Sequence, residues 1–158
     1  MDRRFLFIAK FFAIFAAAEI LILVADLGQV QTFISGTIAD FAGLESSGIF
    51  VKVSDGLFEI TASCTGLVSA GILAAVVFSL RKPEMGNKIA LFLAGTAVLL
   101  IVNYIRVLVV VIVGKDFGIV AAEITHIASW FLMSAGIILV WYAFTKKSTG
   151  IRNFEGFL

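Results

Sequence analysis

Residues 88–113 read KIALFLAGTAVLLIVNYIRVLVVVIV, an apolar run whose strongly polar residues are Lys88 at its start, Asn103 and Arg106. A hydrocarbon core about 30 Å thick is crossed by about 20 helical residues, so this run is long enough to span a membrane. Three further stretches share its character, at 5–25, 62–80 and 124–145. Composition agrees: 61% apolar residues, sixteen phenylalanines in 158 residues and a mean hydropathy of +1.09 far exceed what a soluble domain of this length needs. The first run resembles a signal peptide only superficially. It is long, carries Lys10 and Glu19, and lacks a clear small-residue cleavage site, so it reads as a retained helix.

The net charge of +1 carries little information about partners, whereas the placement of charges does. Arg3 and Arg4 precede the first run, Arg81, Lys82 and Lys88 lie between the second and third, and Lys146, Lys147 and Arg152 follow the fourth. Basic connections stay on the cytoplasmic side, which puts both termini inside. The remaining connections, 26–61 and 114–123, carry Asp26, Asp40, Glu45, Asp55, Glu59, Asp116 and Glu123 against Lys52 and Lys115, and so face outward. The expected fold is an all-α membrane protein, with 1–158 forming one integral membrane domain. It is a bundle of four transmembrane helices with both termini cytoplasmic, carrying an outer amphipathic helix and a small extracellular β-hairpin. The expected location is the cytoplasmic membrane, multi-pass, with membrane lipids as neighbours and no nucleic-acid partner.

The 26–61 connection is too long for a plain linker. Val30, Phe33, Ile34, Ile38 and Phe41 recur at helical spacing, with Gln29, Gln31, Ser35 and Asp40 largely elsewhere, which predicts an amphipathic helix lying on the membrane surface. After Gly43 and the Ser46-Ser47-Gly48 break, Ile49–Val53 and Leu57–Ile60 read as two strands around the turn Ser54-Asp55-Gly56. This cap either simply packs or meets substrate.

The chain holds one cysteine and one histidine. Cys64 therefore has no internal partner for a disulfide or a CxxC pair. Its expected seat is the first, outer turn of the second span, where unpaired amides favour an anion. His126 falls in the expected first turn of the fourth span, placed to exchange a proton. Asn103 and Arg106 share one face of the third span, and a charged residue inside a membrane helix usually marks function. Each residue also has an ordinary structural use: Cys64 as a small hydrophobe, His126 as a satisfied interfacial ring, Arg106 as a cation paired with Glu123 or with carbonyls. Three reactive side chains from three helices at one expected depth favour a site. Glu19, in the first span, has no evident sequence partner. One Cys and one His beside an arginine do not make a metal site, and no cofactor is expected.

Ser63-Cys64-Thr65-Gly66, Asn103-Tyr-Ile-Arg106 and the following His126 resemble, in order and spacing, the Cys, Arg and His motifs of the exosortase/archaeosortase family. The resemblance covers Ile49 to Phe144. It implies a membrane cysteine transpeptidase or protease with Cys64 as nucleophile, Arg106 as electrostatic stabiliser and His126 as acid or base, with Asn103, Glu123 and Glu59 in supporting positions. It further implies secreted substrates ending in a short motif, a transmembrane helix and a basic tail. These are cleaved at the outer face through a thioester and passed to an acceptor such as a lipid amine. The chain is short for such a family. A missing helical rim would be supplied by the substrate's own helix or by a second copy in a homo-oligomer.

Other classes make different demands. A four-helix transporter or channel would use Arg106, Glu19 and Asn103 as a polar pathway and tolerate loss of the thiol. An assembly subunit or sensor would tolerate all three changes. Thiol–disulfide exchange lacks a second cysteine, and an intramembrane serine protease lacks a nucleophile motif around Ser63, Ser129 or Ser134.

Overall fold

A computed structural model describes residues 3–149; Arg152, used in the charge reading, lies outside them. The element order is helix α1 (Arg3–Val24), helix α2 (Gly28–Ala42), strands β1 (Ser46–Ser47), β2 (Phe50–Val53) and β3 (Gly56–Glu59), a 3-10 turn (Ala62–Thr65), then helices α3 (Leu67–Ser79), α4 (Met85–Phe117) and α5 (Ile119–Thr149). Helices α1 and α4, and α5 through Lys147, are long and apolar enough to cross a membrane. The expected span at 62–80 takes a different form. Its α-helical part has 13 residues, about 20 Å at 1.5 Å per residue, because Gly66 adopts a left-handed φ of 83° and separates it from the 3-10 turn.

The described residues divide into two compact units, one from 3–24, 68–99 and 134–149, the other from 25–67 and 100–133. In the first, α1 buries none of its residues, as expected of a helix whose solvent is lipid. Phe11 and Phe15, one turn apart, stack with centroids 6.2 Å apart. Small residues set the packing in this unit. A Cβ on Gly71 would stand 3.2 Å from that of Ala18, and one on Gly95 would stand 2.7 Å from Leu73 and 3.2 Å from Val140. Lys88 is buried and donates to the carbonyl of Leu80 at 2.6 Å, so its ammonium caps the end of α3.

The second unit has a mixed core. Ile38, Ala39 and Ala42 of α2 meet Val51, Val53 and Phe58 of the sheet, Ile60, Cys64, Val107, Val110 and Val111 of α4, and Ala122 of α5. The sheet is antiparallel in the order β1-β2-β3. Val53 pairs with Gly56, leaving Ser54 and Asp55 as a two-residue loop, and Val51 pairs with Phe58 so that both face the core. The expected hairpin is present, with Ser46–Ser47 added as a third strand rather than a break.

Helix α2 forms where expected, and the face it turns into the core of this unit centres on Ser35, Ile38, Ala39 and Ala42. Ile38 and Ser35 are fully buried while Phe33 and Phe41 are 70% and 76% exposed. Ser35 tolerates burial because its hydroxyl bonds the carbonyls of Thr32 and Gly48. The helix ends at Gly43 in the left-handed region, with the Leu44 amide returning to the Ala39 carbonyl at 2.8 Å.

The expected outer loop at 114–123 is almost entirely helical, and a single residue, Gly118 at φ 88°, joins α4 to α5. Asp55 of the hairpin loop makes that junction possible. Its Oδ1 accepts from the Ile119 amide at 2.7 Å, serving as an N-cap supplied from outside the helix. Lys115 donates to the Ala42 carbonyl at 2.6 Å, tying α4 to the end of α2.

Candidate active site

Cys64, Asn103, Arg106 and His126 all belong to the second unit. Cys64 occupies the 3-10 turn rather than the first turn of an α-helix, so the helix-dipole argument for its anion does not hold in the expected form. Its amide donates to the Thr61 carbonyl at 2.9 Å, its Sγ lies 3.6 Å from the Thr61 hydroxyl, and it is 1% exposed. Thr61 in turn bonds Ser63 at 2.7 Å. The turn is fastened to α4 by Asn103, whose Nδ2 donates to the Cys64 carbonyl at 2.6 Å. This contact needs Gly66. A Cβ there would lie 3.2 Å from Asn103 Nδ2 and 3.0 Å from Leu100.

One turn along the same face, Arg106 is also buried. Its Nη1 donates to Ser129 Oγ at 3.3 Å, and its Cζ lies 5.4 Å from the centre of the Trp130 ring. Its Nε and Nη2 are buried with no hydrogen-bond partner among the described residues. Unpaired donors of a buried cation are costly and call for an anionic or carbonyl partner.

His126 is the eighth residue of α5, which begins at Ile119, not in the first turn as expected. The dipole effect is confined to that turn and does not reach the ring. The ring is held by side chains instead. Phe58 packs against it edge-to-face at 5.8 Å, and Nε2 accepts from Trp130 Nε1 at 3.3 Å, while Nδ1 is buried without a partner. Ser129 links Arg106 to the backbone of α5, since its Oγ accepts from Arg106 and donates to the His126 carbonyl at 2.7 Å.

Glu59 and Glu123 are both exposed, and among the described residues Arg106 is engaged by Ser129 and the Trp130 ring instead. They line a cleft with Phe58, Thr61, His126 and Ile127. Glu19 lies on α1 in the other unit.

Sequence reading overlooked Thr61, Phe58 and above all Trp130 as parts of the site. The signal for Trp130 was its spacing: Ser129 and Trp130 follow His126 by three and four residues and share its helical face.

A family model described as transmembrane exosortase (Exosortase_EpsH) matches residues 3–142. No curated protein and no solved structure matches the chain.

Proposed function

From the premise that the chain belongs to the transmembrane exosortase family, we propose that it is a cysteine transpeptidase or protease of the cytoplasmic membrane. It cleaves the C-terminal sorting signal of secreted proteins at the outer face and transfers the product to an acceptor, a lipid amine. One observation carries this reading: in the unit that holds the one thiol of the chain, Arg106 keeps two buried donor groups with no hydrogen-bond partner among the described residues. Such donors suit a negative charge that appears during the reaction. A transport pathway has no comparable use for the thiol.

The chemistry runs as follows. The Cys64 proton passes to His126, and Sγ attacks the carbonyl carbon of the scissile peptide, forming a C–S bond and an oxyanion. Arg106, permanently charged, stabilises that oxyanion, and one such preorganised donor is worth about 3 to 4 kcal/mol in the transition state. The C–N bond then breaks as His126 returns the proton to the departing amine, leaving a thioester on Cys64. An acceptor amine attacks the thioester and gives its proton to His126, and the thiol is released. Water in place of the amine gives hydrolysis. Asn103 holds the carbonyl of Cys64 and thereby the position of Sγ.

Cys64→Ser tests the nucleophile. The variant is expected to insert in the membrane as the parent does and to lose processing of a co-expressed protein bearing a motif, an apolar helix and a basic tail. In the parent, mass spectrometry should find an acyl group on Cys64. Full processing by both Cys64→Ser and Cys64→Ala would remove the thiol from the reaction.

A further inference from the structure

We propose that Trp130 is the positioning residue of this site, capping Nε2 of His126 and fixing the ring's proton on Nδ1 while no substrate is bound. The chemistry of the indole sets the state of the imidazole. Its Nε1–H donates and never accepts, so the nitrogen it meets at 3.3 Å must present a lone pair. A neutral imidazole has one such nitrogen, and the proton is therefore on Nδ1. Each ring has a neighbour that braces it in the resting site. The indole is held by the Arg106 guanidinium, 5.4 Å from its centre, and the imidazole by the edge of Phe58 at 5.8 Å. His126 and Trp130 are also one helical turn apart on α5, so the pairing is built into the helix.

The cap has a consequence for the thiol. With the proton on Nδ1, Nε2 is the one basic nitrogen of the ring, and the indole occupies it; Sγ meanwhile rests against the Thr61 hydroxyl at 3.6 Å. Activation then requires the indole to leave Nε2. The carbonyl oxygens of an arriving peptide are acceptors of the right kind for the released N–H. With the cap gone, Sγ–H passes its proton to Nε2, giving a thiolate and an imidazolium that keeps its Nδ1 proton. The site is thereby held unreactive until occupied. The last step rests on the transpeptidase reading, whereas the cap and the tautomer do not.

Because the chain has a single histidine, 15N NMR of protein labelled only in histidine reports this ring alone. At about pH 8.5, above the ordinary imidazole range, the wild-type protein in detergent micelles is expected to show a protonated Nδ1 and a bare Nε2. Trp130→Phe, which keeps an aromatic ring and removes the donor, is expected to reverse the two nitrogens toward the Nε2–H form that water favours. Trp141→Phe should leave them as they are. A wild-type ring protonated on Nε2 overturns the proposal, and that result needs no variant to fold. So does a Trp130→Phe spectrum identical to the wild type. An expected tautomer in a protein that processes nothing would count against the transpeptidase reading and leave the cap standing.

Discussion

Arg106 meets its surroundings as a planar fork of donors, and its partners divide that fork. Nη1 is engaged by Ser129 and the flat face by Trp130, while Nε and Nη2 remain to receive an oxyanion. A lysine ammonium at this position retains the charge but has neither the stacking face nor the paired donors. Arg106→Lys is therefore expected to lower the processing rate by about 100-fold to 1,000-fold, the usual result of removing one oxyanion donor, with membrane insertion unchanged. Comparing single-turnover rates for the two proteins checks this. A lysine variant as fast as the parent would reduce Arg106 to a counter-ion. The thiol, the imidazole and the guanidinium were all legible in the sequence, because each is chemically conspicuous in an apolar span. Trp130 was not, since a tryptophan in such a span reads as packing until its N–H is seen to have an acceptor.

At the scale of elements, Gly66 shows how a backbone conformation sets the site. Its φ of 83° ends the 3-10 turn that holds Cys64, and its missing Cβ lets Asn103 approach the turn closely. An alanine there incurs the left-handed penalty of about 1 to 2 kcal/mol and presses on the Asn103 amide. Gly66→Ala is expected to lower the thermal midpoint and to impair processing, with both losses visible in the same purified protein. Unchanged stability and processing would mean that the Asn103 bond to Cys64 can reform elsewhere. The apolar runs, the surface helix and the Ser54-Asp55 turn could be read in advance because length, periodicity and turn chemistry are local properties. Three features could not. The break at Gly66 depends on a positive φ, the inward face of α2 on a hydroxyl acceptor for Ser35, and the Gly118 junction on Asp55 capping α5 from the hairpin. Each is a contact between residues distant in sequence or a conformation that glycine permits without demanding.

At the scale of the whole chain, charge placement and helix length make different demands. The basic residues Arg81, Lys82 and Lys88 belong on the cytoplasmic side, and the acid-rich segment 26–61 belongs outside. Both hold only if residues 62–80 cross the membrane, yet α3 has 13 residues, about 20 Å of helix against a hydrocarbon core of about 30 Å. The 3-10 turn and the polar residues around Cys64 would then have to sit within or close to the interface, where a thinned bilayer or neighbouring protein covers them. Single cysteines test this in a Cys64→Ala background. Ser47 and Lys82 are both exposed, so Ser47→Cys and Lys82→Cys can each take a membrane-impermeant maleimide. In intact cells the cysteine at 47 is expected to label and the one at 82 to label only after permeabilisation, which gives four spans with α3 as the short one. Labelling of both from the outside would mean that α3 does not cross, that three helices span, and that the positive residues after α3 lie outside against the charge rule.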